Sequence, residues 1–277
     1  MKPELGSKLE AASERVRGLG SVLVAYSGGV DSSLVLDIAH RALGSACQGV
    51  IARSPSLPAA ELQAALELAL ERGITVRVLD TNEVEIEGYR RNQPDRCYFC
   101  KSELYGRLVE LAAEVGMSAV LDGFNRDDRA DWRPGRKAAL ELGVVSPLDE
   151  AGMTKDEVRT AARELGLPNW EKEAAACLSS RVPYGMLIDP ALLGRIEEAE
   201  AVLRNEGFQQ VRVRHGAETA VLEVAPGQVG RLQDSEVLAR VSRRLNSLGY
   251  SGVRVEAGGY RRGSLNVPAA IGTVDGA

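Results

Sequence analysis

The segment Ser27-Gly-Gly-Val-Asp-Ser-Ser33, set between an apolar run and a helix-forming stretch, constrains this chain more than any other part of it. The run before it, Val22-Leu-Val-Ala-Tyr26, is apolar at consecutive positions, as a strand covered on both faces must be. Residues 32–43 have helical composition and stop at Gly44. Between the two, Gly28 and Gly29 let the backbone turn tightly, so that successive N–H groups point into one concavity. The positive end of the helix dipole adds to that anion site, and the hydroxyls of Ser27, Ser32 and Ser33 supply further donors. There is no Gly-Lys-Ser/Thr as in a Walker loop and no G-x-G-x-x-G after the strand, which disfavours γ-phosphoryl transfer and dinucleotide binding. The alternative is a Gly-Gly turn capped by Asp or Ser without a ligand.

Strand and helix continue to alternate. A second buried run covers 48–52, a helix 58–72 ends at Gly73, and a third run covers 75–79. A helix over 97–115, a short strand over 119–121 and a helix over 154–165 follow, the last opened by the capping box Thr154-Lys-Asp-Glu157 and closed by Gly166. This pattern predicts an α/β domain built on a parallel sheet. The character changes near Val182-Pro-Tyr-Gly185: beyond it come a helix (190–205), two alternating strands (210–215, 219–224), a helix (235–248) and a strand (252–256). We therefore expect a Rossmann-like parallel-sheet domain over 1–184, followed by a smaller α+β domain over 185–277.

Composition narrows the class. Of 277 residues 44% are hydrophobic and 26% charged, and no apolar run approaches the roughly 18 residues of a membrane span, which excludes membrane, collagen-like and wholly disordered chains. A net charge of −5 argues against a broad nucleic-acid footprint and accommodates small anionic ligands. The N-terminal stretch mixes charges of both signs and lacks the apolar core of a signal peptide, which points to the cytoplasm. Four cysteines, Cys47, Cys97, Cys100 and Cys177, do not make a disulfide framework in a chain this long; in a reducing compartment they are structural, catalytic or metal-binding.

At its Gly-Gly turn the sequence resembles the PP-loop family of ATP pyrophosphatases, whose signature is SGGxDS after the first strand. The resemblance implies that the turn holds the pyrophosphate end of ATP while a substrate oxygen attacks the α-phosphorus, and that Asp31 helps hold Mg²⁺. Further motifs narrow the match: Arg96-Cys-Tyr-Phe-Cys-Lys101, Asp122-Gly-Phe-Asn-Arg-Asp-Asp128, Asp131-Trp-Arg-Pro-Gly135, Ser146-Pro-Leu148, Ala176-Cys-Leu-Ser-Ser-Arg181 and Gly259-Tyr-Arg-Arg-Gly-Ser-Leu-Asn266. In this order they resemble the LarE family of ATP-dependent sulfur transferases, from the first strand to Asn266. That resemblance implies adenylation of a carboxylate on a pyridinium mononucleotide and replacement of AMP by sulfur, toward the nucleotide used by nickel-pincer enzymes. A homo-oligomer is expected.

The residues suit such chemistry. Adenylation makes a carboxylate oxygen a good leaving group, and a thiolate is the natural nucleophile for the mixed anhydride. Cys177 is the candidate, in a loop where the hydroxyls of Ser179 and Ser180 and the cation of Arg181 could lower its pKa and meet substrate. Cys47, beside an apolar strand, is expected to be inert. With Cys177, the pair Cys97-x-x-Cys100 makes three thiolates, a set suited to a [4Fe-4S] cluster with one iron open. Zinc is disfavoured for want of a fourth ligand, and a thioredoxin-type pair is an alternative. Relatives with one cysteine are thought to sacrifice its sulfur; three cysteines tilt the expectation toward the cluster.

Gly123 and Asn125 follow a strand end and are candidates for contacting AMP, against a solvated acidic loop. Arg212 and Arg214, two apart on a strand, share a face and are candidates for a substrate phosphate, against a structural strand surface. Glu200 and Asp234 are carboxylates of unassigned role, and Trp132 is read as packing. The competing functions are a tRNA-thiolating enzyme, for which no basic RNA face is visible, an ammonia-using ligase, which needs none of these cysteines, and a non-catalytic nucleotide-binding module.

Overall fold

The computed structural model describes residues 2–129, 134–173 and 176–261, in two compact units that meet between Cys177 and Leu178. The expected boundary lay after residue 184. The earlier division follows from Arg181, whose buried guanidinium pairs with Glu200 and so ties the turn Leu178–Arg181 to the second unit.

In the first unit the chain runs α1 (Pro3–Arg17), β1 (Val22–Ala25), α2 (Val30–Leu43), β2 (Cys47–Arg53), α3 (Ala59–Glu71) and β3 (Val76–Asp80). It continues through α4 (Glu87–Arg90), α5 (Arg96–Val115), β4 (Ala119–Leu121), α6 (Pro134–Glu141), α7 (Pro147–Glu150) and α8 (Lys155–Glu164). The strands form the expected parallel sheet in the order β3-β2-β1-β4, with Val22 beside both Cys47 and Ala119. Alternate residues of β1 feed opposite cores, as a pleated strand requires. Val22 and Val24 pack with α1, α2 and α8, whereas Leu23 packs with Tyr105, Leu108 and Leu111 of α5 and Ala138 of α6. The capping box at Thr154 forms, with the Glu157 N–H donating to Oγ1 and the Thr154 N–H donating to Glu157.

Strand order decides where a ligand sits. The connections from β1 carry the chain outward to β2 and β3, and it then returns to the other side of β1 as β4. The order therefore reverses between β1 and β4, and in open parallel sheets ligands bind outside the carboxyl ends of the strands at such a switch point. The Gly-Gly turn follows β1 and the Asp122–Asn125 loop follows β4, one on each side of that crevice.

The second unit contains α9 (Pro190–Asn205), β5 (Arg212–Gly216), β6 (Thr219–Glu223), α10 (Val229–Leu232), α11 (Ser235–Ser247) and β7 (Gly252–Val255). Its sheet has the order β5-β6-β7, antiparallel then parallel. Val213, Ala220 and Leu222 pack on Ala199 and Leu203 of α9 and Val241 and Leu245 of α11. The opposite face carries Arg212, Arg214, Glu223 and Arg254, placed together by the pairings Arg212 to Glu223, Arg214 to Val221 and Val221 to Arg254. Among the described residues no helix is long and apolar enough to cross a membrane.

His215, on the core side of β5, is 6% exposed and its Nδ1 lacks a hydrogen-bond partner. Burial, aided by the Arg195 cation, lowers its pKa below 6.5. The unfolded chain then binds more protons than the folded one as pH falls through about 6.5, so this contribution to stability is present above that value and lost below it. We expect the urea midpoint to fall between pH 7 and about pH 5.5, and the fall to be smaller in His215→Phe.

Candidate functional site: a Gly-Gly turn, three cysteines and an arginine face

Gly28 sits at φ +69°, a conformation that strains any L side chain, and a Cβ there would lie 2.5 Å from the Cβ of Ala65 on α3. The turn is held closed by serines: the Ser27 N–H donates to Ser32 Oγ at 3.1 Å, the two hydroxyls are 3.0 Å apart, and Ser32 Oγ donates to Gly29 O at 3.1 Å. Gly29 is the N-cap of α2 without a side-chain cap, so the first N–H groups of the helix are left for an anion, as the sequence suggested.

Gly123 meets this turn backbone to backbone. A Cβ at Gly123 would stand 2.7 Å from Ser32 N, so its requirement for glycine is explained by the close approach of the β4 loop to α2. Asn125, 1% exposed, donates from Nδ2 to Asp31 Oδ1 at 3.1 Å. Asp31 Oδ2 is paired with the Lys155 ammonium, while the Lys155 N–H donates to Asp127 at 2.8 Å. A hard cation brought to Asp31 therefore finds a carboxylate fixed from two sides and competes with an ammonium for one of its oxygens. Asp122 accepts from Tyr105 Oη at 3.0 Å, from Ser146 Oγ at 2.7 Å and from the Phe124 N–H at 3.1 Å, which rigidifies the loop.

Sequence reasoning missed three residues here. Lys155 was read only as part of a capping box. Asn169 Nδ2 donates to Gly28 O at 3.1 Å and to Ser33 Oγ at 2.9 Å, and Lys172 Nζ lies 3.4 Å from Gly28 O. The stretch Pro168-Asn-Trp-Glu-Lys172 has no periodicity to attract notice; its position just after a helix-closing glycine was the one available signal.

Cys97 and Cys100 lie on the first turn of α5, three apart and hence on one face. Tyr98 and Phe99 between them anchor that turn: Tyr98 donates to Glu141 at 2.7 Å, and Phe99 lies over Gly88, where a Cβ would come within 2.4 Å of the ring. Loss of water raises the Cys97 pKa, the charge of Cys177 raises it further, and Arg96 opposes both. Cys100 is pushed up to about 12, chiefly by burial, with Glu83, Cys177 and Cys97 adding to it. In donor type the three thiols match an iron–sulfur cluster. Among the described residues, however, no three His, Cys, Asp or Glu side chains are drawn together as a metal site.

Cys47 is 7% exposed on β2, and burial raises its pKa to about 12. It behaves as a small core hydrophobe. Cys47→Ala is expected to lower stability by about 1 kcal/mol and leave any reaction of the protein intact; a folded variant without activity would contradict this.

In the second unit Ser180, Arg181 and Arg214 come together. Arg181 donates to Ser180 Oγ at 3.0 Å and pairs with Glu200 at 2.7 Å, with 2% and 0% of the two side chains exposed. Glu200 also accepts from Arg204 at 2.7 Å and from the Val213 N–H at 3.2 Å. These bonds hold the Arg181 guanidinium, the candidate for substrate, against Glu200 in the interior of the second unit. Asp234 caps α11, accepting from the Glu236 and Val237 N–H groups. Arg214 donates to Glu223 at 3.0 Å and to Ser180 O at 2.7 Å, and Arg212 stacks on Tyr260. Burial lowers the pKa of Arg212, and neighbouring Arg181 adds to the effect. Arg214, Arg254 and Arg261 line an open concavity of ≈ 280 Å³ together with Glu223 and Glu256, three cations against two carboxylates. Asp131 and Trp132, and the last motif beyond Arg261, lie outside the described residues.

No protein-family model matches the chain. Over 264 residues it is 39% identical to the pyridinium-3,5-bisthiocarboxylic acid mononucleotide synthase of Lactiplantibacillus plantarum, covering 95% of each chain. It is 42% identical over 262 residues to an uncharacterized protein of Synechocystis sp., covering 95% of this chain and 98% of the other. A more distant similarity, 29% over 225 residues, links it to the NH(3)-dependent NAD(+) synthetase of Methanococcoides burtonii, with 76% of this chain and 81% of the other covered.

Proposed function

Since the chain belongs to the LarE family of PP-loop enzymes, as its match to the synthase shows, we propose that it is an ATP-dependent sulfur transferase acting on a pyridinium mononucleotide. It adenylates a carboxylate of that nucleotide and replaces AMP by sulfur, giving a thiocarboxylate for nickel-pincer nucleotide synthesis. The observation that carries this reading is the uncapped N-terminus of α2 behind a left-handed Gly28, in the same unit as Cys97, Cys100 and Cys177.

The N–H groups of the first turn of α2, with the Ser27, Ser32 and Ser33 hydroxyls, bind the departing pyrophosphate and stabilise its charge as the α–β bond breaks. Asp31 holds Mg²⁺ on the phosphates, oriented by Asn125, and Lys155 adds a cation beside it. Gly123 brings the β4 loop against the turn, where the AMP half of the nucleotide lies. Arg212 and Arg214 pair with the phosphate of the pyridinium mononucleotide, Arg214 being aimed by Glu223 and Ser180.

Sulfur transfer depends on Cys177, either as a ligand of a cluster or as the donor itself. We favour a cluster held by Cys97, Cys100 and Cys177 over sacrifice of the Cys177 sulfur, because the chain carries two further cysteines, three apart at the start of α5, besides the one that sacrifice needs. When bound, such a cluster would deliver an external sulfide to the activated carboxyl group, AMP being released, and leave the three thiolates unchanged. With ATP and the pyridinium carboxylate, AMP and pyrophosphate are the expected products; ADP and orthophosphate would sink the assignment.

A further inference from the structure

Asp31 belongs to a closed ring of hydrogen bonds that joins three parts of the first unit. Its Oδ1 accepts from Asn125 Nδ2 at 3.1 Å, Asn125 Oδ1 accepts from the Asp127 N–H at 3.0 Å, and Asp127 Oδ2 accepts from the Lys155 N–H at 2.8 Å. The Lys155 ammonium, paired with Asp31 Oδ2, completes the ring. The first turn of α2, the loop after β4 and the first residue of α8 are thereby locked together. Helix stability does not call for a lysine at that place. A cation in the first turn opposes the helix dipole, which Asp156 and Glu157 in the same turn complement.

Both Asp31 oxygens are therefore engaged, one of them by a full positive charge. Among the described residues no three His, Cys, Asp or Glu side chains are drawn together as a metal site, so a hard cation at Asp31 is not caged by protein and takes most of its oxygens from phosphate and water. A divalent ion arriving alone has to displace the ammonium and leave it beside a dication with no anion in return. The Lys155 and Asp31 side chains are 29% and 24% exposed, so water and salt screen that repulsion less than at an open surface. With the phosphates of ATP in the turn, both cations have anionic oxygens to bind. We infer that Lys155 exchanges partners: it holds Asp31 while the turn is empty, and when ATP arrives its ammonium passes to a phosphate oxygen and leaves Asp31 Oδ2 to the metal. Metal then enters with the nucleotide and not before it. This inference rests on the reading of the turn as the ATP site and of Asp31 as its Mg²⁺ carboxylate.

The probe is Mn²⁺, which accepts the same oxygen ligands and whose free concentration is read by electron paramagnetic resonance. Without nucleotide, Lys155→Met should bind Mn²⁺ on the order of tenfold more tightly than wild type, with Lys155→Gln between them and Lys155→Arg, which keeps the cation, like wild type. Adding Asp31→Asn to Lys155→Met should abolish the gain, which locates it at Asp31. In EDTA, where no metal takes part, Lys155→Met should bind ATP several-fold more weakly because the phosphates have lost a cation. A merely structural lysine shifts the melting temperature and leaves Mn²⁺ affinity where it was. Equal Mn²⁺ affinities in wild type and both neutral variants, a gain that survives Asp31→Asn, or an unchanged ATP affinity in EDTA would overturn the inference. Failure of wild type to bind ATP at all, with Mg²⁺ or in EDTA, is a different failure, that of the reading of the turn.

Discussion

Gly28→Ala is expected to abolish ATP cleavage. The left-handed backbone costs an alanine about 1 kcal/mol or more, and its Cβ would lie 2.5 Å from that of Ala65, well inside contact distance. Relief requires α3 and the turn to part, which misdirects the N–H groups at the start of α2. We expect stability to fall by about 2–4 kcal/mol and pyrophosphate release to drop at least a hundredfold. Two companions make the cause visible. At Gly29, φ is −78° and a Cβ would meet only Ser27 Oγ, at 3.5 Å, so Gly29→Ala should keep the melting temperature of the wild type. Adding Ala65→Gly to Gly28→Ala removes the nearest collision and should recover part of the lost stability, a coupling that a double-mutant cycle reads directly. Equal losses at Gly28 and Gly29, or no recovery from Ala65→Gly, would mean that the steric account of the turn is wrong.

The second large effect concerns the cysteines. Cys177→Ala should eliminate sulfur transfer while AMP-forming adenylation survives, because the turn and its serines do not depend on that thiol. Cys97→Ala and Cys100→Ala separate the two sources of sulfur. If the three cysteines hold a cluster, either variant loses iron–sulfur absorbance and sulfide-dependent turnover together, and wild type turns over more than once with Cys177 unchanged. If Cys177 is sacrificed, its thiolate attacks the acyl adenylate and displaces AMP. Loss of the Cα proton then breaks the Cβ–S bond, leaving dehydroalanine and a thiocarboxylate. Both α5 variants would then remain active for a single turnover and the protein would lighten by the mass of H₂S. The cluster reading predicts the first pattern, measured under anaerobic conditions by iron and sulfide content and by intact mass.

The sequence made the helix and strand order legible because each element carries its own periodicity. The helix expected over 190–205 is Pro190–Asn205, and the strand runs at 22–26 and 48–52 became β1 and β2 within a residue or two. Short helices such as Pro134–Glu141 were not foreseen, since two turns carry too little pattern. The turn at Ser27–Ser33 was readable because backbone conformation, glycine content and the neighbouring helix point the same way. What escaped was whatever depends on distant partners. Nothing local to Arg181 announces that Glu200 neutralises it, and nothing local to Asn169 or Lys172 announces Gly28, more than a hundred residues earlier. The substrate contact expected of Arg181 followed from its place beside Ser180; its burial follows from the packing of α9.

The central claim is that a carboxylate oxygen attacks the α-phosphorus of ATP and leaves with AMP when sulfur arrives. The pyridinium mononucleotide labelled with ¹⁸O in its carboxylates, incubated with ATP, Mg²⁺ and the protein under anaerobic conditions, tests it directly. Mass analysis of the nucleotide products should show one ¹⁸O in AMP, none in pyrophosphate, and a product in which sulfur has replaced that oxygen. Unlabelled AMP, or thiolated product formed without AMP, would contradict the account.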